Sequence, residues 1–495
     1  MSKFGFVLVT SVAMAASAAA QMVLVQPYLQ PGNGATLQGS DVKVLRWLTD
    51  QTPGDFKVFY GRRDAATNVA TATRVALDFQ PAKPSSRPTN NVASNAIVIP
   101  EREQHYFKYT STMSGLPFDA EIEYRVLLGE RVVRAGTFST RSSADKSIRF
   151  IMVGDIASGR PQQNAVAWQM AQARPQFMVV LGDIVYASGR VNQYMHHFWG
   201  TYNQPAQPGP TQGAPLMASV TLYPVLGNHD VESARLPDYP DAFGAYHFFD
   251  VPQNGPGLGS WNTPLGRDAG VAESFRASVG GTYPSLGFYS FDNGPAHFVA
   301  LDSANYVTNL SGTAAIMTWL ENDLKNTRAR WKFVCFHVPP FQSTKTHYPE
   351  QRMRLLEPLF ERQGVDVVWT GHVHNYQRNV PLRFQPNSPI RQTNGTVNGE
   401  FKLDHEFDGI TKTRPDGVIH IVSGGGGASL YAGGPEKNAA ELREKYSSAN
   451  WADFNAKFFD RTHSFSVVDL SPTRLELRVL DMEGQEVDRM TVTKP

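Results

Sequence analysis

Two runs, Ile148–Val153 and Phe177–Leu181, are apolar at nearly every position, and each stops at a Gly-Asp pair, Gly154-Asp155 and Gly182-Asp183. Without polar alternation, such runs describe strands buried on both faces rather than strands of a half-solvated sheet. A helix is expected between them, from Pro161, a residue suited to the first helical position, to about Ala173. Strand, helix and strand in that order form a βαβ unit, which requires a sheet covered on both sides. The pattern recurs downstream. Ile316, Trp319, Leu320 and Leu324 make a helical stripe, and residues 333–336 make a strand ending at His337. Residues 357–363 form a helix with Pro358 in its first turn and Gly364 closing it, followed by a strand at 365–369 and then Gly371-His372. The last strands are expected at 418–422, Ser464–Leu470, 474–480 and 489–492.

The chain before residue 148 has a different grammar. Residues 42–47, 56–61, 96–99, 106–110, 121–126 and 136–140 read as short strands, mostly alternating and separated by turns. About seven short strands in ~120 residues, with no helical period, describe a β-sandwich. Residues 1–20 read as a cleavable leader: Lys3 gives a positive start, residues 4–15 an apolar stretch and Ala18-Ala19-Ala20 a small-residue cleavage site. The expected organisation is therefore a leader at 1–20, a β-sandwich at 21–143 and an α/β domain at 147–495, with the polar run 140–146 as linker. Residues 231–282 and 379–415, rich in Gly, Pro and Asn, read as long loops over one end of the sheet.

With 41% hydrophobic and 18% charged residues, the chain can bury a sizeable core. Its formal net charge is +1, and loss of the leader removes one positive charge, Lys3, so no general footprint for nucleic acid is present. No segment reaches the ~18 apolar residues of a membrane-spanning helix. A single cysteine, Cys335, excludes an intrachain disulfide.

The polar residues fall in a telling place. Asp155, Asp183, Asn228, His337, His372 and His374 stand at or just past the ends of apolar runs, and strand ends on one sheet edge form the ligand crevice of an open α/β sheet. Oxygen and imidazole donors without thiolate suit iron, zinc or manganese. Two such ions ~3.5–4 Å apart can share a carboxylate, generate hydroxide and clamp a phosphoryl group.

Gly154-Asp155, Gly182-Asp183-Ile184-Val185-Tyr186, Gly227-Asn228-His229-Asp230, Val334-Cys335-Phe336-His337 and Gly371-His372-Val373-His374 resemble, in order, the five blocks of the calcineurin-like metallophosphoesterases. Ala157, where many members carry a histidine, and Tyr186, three residues after the second aspartate, resemble the purple acid phosphatase branch. Gln26-Pro27-Tyr28-Leu29-Gln30 looks like the start of the fibronectin-III-like domain that precedes bacterial members. The resemblance implies a four-layer α/β/β/α domain behind that β-sandwich. It also implies iron(III) held by Asp155, Tyr186 and His374, a divalent ion (iron, zinc or manganese) held by Asn228, His337 and His372, and Asp183 bridging both. A metal-bound hydroxide would attack phosphorus, with His229 binding a phosphate oxygen or protonating the leaving group. His347 lies where plant members place a further histidine, and Arg378 could reach a phosphate.

The implied function is hydrolysis of small phosphate monoesters by a secreted or periplasmic enzyme. A phosphodiesterase using the same metals, or a non-catalytic surface-binding protein, stays open, as do the oligomeric state and the identity of the divalent ion. Asp155 and Asp183 could instead cap turns, Tyr186 and the histidines could be packed core residues, and Asn228 could cap a turn. His196 and His197 occupy adjacent positions of an expected helix, face apart and read as structural.

Overall fold

In the computed structural model the apolar runs pair as two mixed sheets packed face to face. The structure describes residues 22–63, 65–81, 103–231, 236, 239–257, 269–280, 285–304 and 310–495. One sheet runs Thr221–Val225, Phe177–Leu181, Ile148–Val153, Ser464–Leu470, Arg474–Asp481 and Glu486–Thr493. Its first three strands are parallel, in register Phe177 against Phe150 and Thr221, and the rest antiparallel. The other runs Phe288–Asn293, Ala296–Leu301, Trp331–Phe336, Val367–Thr370, Ile419–Ser423, Tyr376–Asn379 and Asn455–Phe459, with four parallel strands at its centre. Side chains from the facing sheets share one core: the Phe150 ring lies 5.3 Å from Phe298, edge to face, and 6.0 Å from Phe333. Helices cover the outer faces. Gln162–Gln172 buries Val166, Ala167 and Met170, Leu310–Asn326 buries Ile316, Leu320 and Leu324, and Glu357–Gln363 buries Leu359 and Phe360. This is the four-layer α/β/β/α arrangement.

Ahead of it stand two four-stranded antiparallel sheets, ordered Val23–Gln30, Asp41–Thr49, Gln104–Leu116, Thr73–Phe79 and Ala65–Thr71, Phe56–Arg62, Glu121–Leu128, Arg131–Ser139. Trp47, Phe56, Tyr109 and Tyr124 fill the space between them. The sandwich is not an independent bead. Tyr28 packs on Trp199 with ring centroids 4.5 Å apart and donates its hydroxyl to Phe248 O at 3.0 Å, and Arg46 Nη1 donates to Phe249 O at 2.8 Å. Val25, Tyr28, Leu48 and Tyr106 thereby belong to the core of the α/β part.

Several expectations need correction. The run 140–146 is buried in its first half and exposed in its second: Thr140, Arg141 and Ser142 are buried, whereas Ala144, Asp145 and Lys146 are exposed. Arg141 gives its backbone N–H and Nε to the Asp41 carboxylate at 2.8 and 2.9 Å, and Lys43 Nζ completes a buried triad at 2.6 Å. At the buried end, polar composition reflects an ion-pair knot with the sandwich strand Asp41–Thr49. The supposed loops contain structure: helices Gly244–Phe248 and Ala269–Val279 in the first, and the hairpin Leu382–Pro386 with Gly399–Leu403 in the second. The expected strand at 96–99 and the leader at 1–20 lie outside the described residues. No helix among the described residues is long and apolar enough to cross a membrane.

Candidate metal centre

Parallel pairing brings the site together. Asp155, Asp183 and Asn228 follow the carboxyl ends of three adjacent parallel strands in one sheet, and His337 and His372 follow two adjacent parallel strands in the other. Because both sheets present the same edge, these side chains converge where the layers meet. Close approach fixes the turns. A Cβ at Gly227 would lie 2.2 Å from Asp183 Oδ1, and one at Gly182, whose φ is +87°, would lie 2.4 Å from His337 Nδ1, so neither position admits a side chain. Asp155, Asp183, His347 and His372 all hold positive φ, between 49° and 67°. For a non-glycine residue this costs roughly 1–3 kcal/mol, strain of the kind that gathers at functional sites.

Two donor groups share Asp183: Asp183 with His337 and His372, and Asp183 with Asp155 and His374, the donor atoms of each lying within 4.8 Å of one another. In the first, His337 Nε2 stands 3.3 Å from Asp183 Oδ1 and 3.2 Å from His372 Nδ1. In the second, His374 Nε2 stands 3.3 Å from Asp155 Oδ1, and the Tyr186 hydroxyl is 2.8 Å from that oxygen and 3.1 Å from His374 Nε2. The far nitrogens are anchored. His337 Nδ1 faces Leu181 O at 2.8 Å and His374 Nδ1 faces Ser429 O at 2.7 Å. A carbonyl only accepts, so Nδ1 carries the proton in each ring and Nε2 is turned inward. Asn228 Oδ1 is buried without a hydrogen-bond partner, an orphaned acceptor beside this cluster.

Electrostatics describe a cluster that needs positive charge. Burial would lower the pKa of His337, but the Asp183 carboxylate overrides it and holds the imidazole up at about 10. Asp183 itself lies below the ordinary carboxylate range, because the neighbouring histidines outweigh its burial. Burial, then the charges of Asp155 and Asp183, push the Tyr186 phenol well above its ordinary range, so it keeps its proton unless a strong cation displaces it. Orphaned acceptor, inward imidazole nitrogens, shared carboxylate and absence of thiolate all fit a pair of hard or borderline cations.

His229 lies at the rim. Its Nδ1 bonds Ala187 O at 2.6 Å, its backbone N–H donates to Asp183 Oδ1 at 2.9 Å, and its Nε2 points to Asp183 Oδ2 at 3.9 Å. His347 joins the rim through Glu350, with Nδ1 2.6 Å from Glu350 Oε1 and Nε2 3.2 Å from the Tyr431 hydroxyl. Arg378, expected to reach a phosphate, is instead buried and held by Asp488 at 2.7 and 3.1 Å, which commits its guanidinium to an ion pair. His197 is structural as expected, its Nδ1 bonding Tyr186 O at 2.9 Å. Four residues around the site escaped sequence reasoning. Asp230 accepts the N–H of Ile184 and Gly227 at 3.0 and 2.9 Å, and burial lifts its pKa to about 7 with Asp183 adding to the rise. Ser303 Oγ accepts the N–H groups of His337 and Val338. Glu350 and Tyr431 complete the rim, the Tyr431 ring lying flat on His374 with centroids 4.3 Å apart. Only the His347-x-x-Glu350 spacing gave a local hint of any of these.

Residues 148–376 match the family described as calcineurin-like phosphoesterase. The chain carries a calcineurin-like phosphoesterase domain. Among relatives, it is 27% identical to purple acid phosphatase 18 of Arabidopsis thaliana over 63% of its own length, an alignment spanning only 55% of that relative. It is 23% identical to purple acid phosphatase 1 of Ipomoea batatas over 72% of its length and 68% of the relative. The structure of purple acid phosphatase PPD1 from yellow lupin (Lupinus luteus) superposes with a TM-score of 0.59 at 16% identity, covering 94% of this chain and 74% of that one. At that identity the likeness speaks to the fold.

Proposed function

We propose that this chain is a secreted two-metal phosphomonoesterase of the purple acid phosphatase type. The observation that carries it is the pair of donor groups sharing Asp183, with Asn228 Oδ1 orphaned beside them. Asp155, Tyr186 and His374 would hold one ion, for which a phenolate donor favours iron(III). Asn228, His337 and His372 would hold a divalent ion, and Asp183 would bridge the two. Bound ions would supply Lewis-acid polarisation of the phosphoryl group and acidification of water. The chain's own residues would do the rest. His229, with its proton-bearing Nδ1 tied to Ala187 O, keeps Nε2 toward the cluster, where it can hold a proton for the leaving oxygen. His347 and Tyr431 border the cluster and can contact the remainder of the substrate.

The leader at residues 1–20 supports export, and the eight-stranded antiparallel arrangement before residue 140 supports a fibronectin-III-like domain ahead of a catalytic domain from residue 147. The test is turnover of a monoester, p-nitrophenyl phosphate, against its diester after loading with iron and zinc. The monoester should be hydrolysed at least tenfold faster in kcat/KM. Preference for the diester would replace monoesterase by diesterase, and no turnover of either would leave a binding protein.

A further inference from the structure

The three metal-facing histidines are not anchored alike. His337 and His374 each give Nδ1 to a backbone carbonyl, which fixes the proton and leaves Nε2 inward. His372 is turned the other way: Nδ1 is the inward nitrogen, 3.2 Å from His337 Nε2, and no carbonyl meets its Nε2. That nitrogen is buried and, among the described residues, has no aligned hydrogen-bond partner, yet Glu350 Oε2 stands 3.3 Å away. The same carboxylate uses Oε1 to accept from His347 Nδ1 at 2.6 Å. An imidazole can direct the lone pair of one nitrogen at a cation only while the other nitrogen carries the proton, and a carboxylate behind a ligand histidine enforces this.

We propose that Glu350 is the positioning residue of the His372 half of the site. It keeps the His372 proton on Nε2, aims Nδ1 at the cation, and couples that ligand to the rim histidine His347. Its loop is built to hold it there. Glu350 N donates to His347 O at 3.0 Å, and four residues on, the buried Arg354 donates to Pro340 O and Asn450 O, both at 2.7 Å, clamping the base of the loop. Glu350 has this role only if the two-metal reading of the site holds.

The test is titration calorimetry of zinc(II) into metal-stripped full-length protein, comparing wild type with Glu350→Ala, Glu350→Gln and His347→Ala. Wild type should bind two ions. Glu350→Ala should weaken one of them 10- to 100-fold and spare the other, Glu350→Gln should fall between, and His347→Ala should leave both affinities within about twofold, since the effect comes from the group directly behind the ligand. Two ions bound as in wild type by Glu350→Ala would overturn the proposal, as would equal weakening of both. A third wild-type ion lost in Glu350→Ala would make His347, Glu350 and His372 a separate cation site and overturn it too. Fewer than two ions in wild type would overturn the two-metal reading itself, and this role with it.

Discussion

The two sides of the site are built by different means. On the inner side, Asp155, Asp183, Asn228, His337 and His372 each follow a buried parallel strand within three residues, so ladder register fixes where they stand. On the rim, His347 and Glu350 ride a loop held by a separate small core that includes Phe341, Tyr348, Phe384 and Trp451. At its centre lies Arg354, fully buried, within 4.9 to 5.8 Å of the rings of Phe341, Tyr348, Phe384 and Phe401 and bonded to three backbone carbonyls. No carboxylate pairs with it among the described residues, so aromatic faces and carbonyl dipoles offset its charge. The inner half is as rigid as the sheets, whereas the rim depends on packing between segments distant in sequence and meets the inner half where Glu350 faces His372.

The largest expected effect breaks the inner side. Asp183→Ala removes the carboxylate common to both donor groups, so turnover should fall by about 10³-fold or more, with loss of bound metal, as elemental analysis and initial rates would record. A variant that keeps two ions and full turnover would mean Asp183 does not bridge. The next effect should separate the halves. Arg354→Met strips Pro340 O of its donor and takes one of two donors from Val397 O and Asn450 O, a cost of about 1–3 kcal/mol. Hydrogen exchange should quicken over residues 340–350, KM should rise, and the ion on the His372 side should bind more weakly while the other is held as in wild type. Equal loss of both ions would show instead that the whole site, not one half of it, depends on the loop.

The smallest effect concerns a charge cluster outside both halves. Burial alone would lower the pKa of His297, but hydrogen bonds to Asp292 and Asp323, at 2.7 and 2.8 Å, hold it up at about 9. The raised folded-state value means its stabilisation is complete below about 6.5 and lost as pH rises through about 9. Urea unfolding should therefore show up to about 3 kcal/mol of stability disappearing between pH 6 and 10 from this group. Asp323→Asn should flatten that slope without changing metal content.

What could be read from the sequence follows the same division. The convergence of the strand-end donors was legible because an apolar run stopping at Gly-Asp or at His is a local pattern. Even so, the strand Thr221–Val225 that carries Asn228 was missed, since Pro224 interrupts its pattern; the position tolerates proline because this strand is the edge of its sheet. Arg141 looked like linker and Arg378 like a phosphate ligand, and each is instead committed to an aspartate, Asp41 or Asp488, at least 100 residues away. Tyr431 and Arg354 had no readable signal and Glu350 only its spacing from His347, because their meaning lies in contacts between the loop after His337, the hairpin and the segment near residue 450. Long-range pairing of polar side chains leaves no period in a sequence.

A binuclear site is tested most directly by metal content, from elemental analysis on the sample used for a visible absorption spectrum. About two ions per chain are expected, one of them iron, with a broad visible band that Tyr186→Phe abolishes. A metal-reconstituted protein that retains no ion, or one whose spectrum ignores Tyr186, would contradict it.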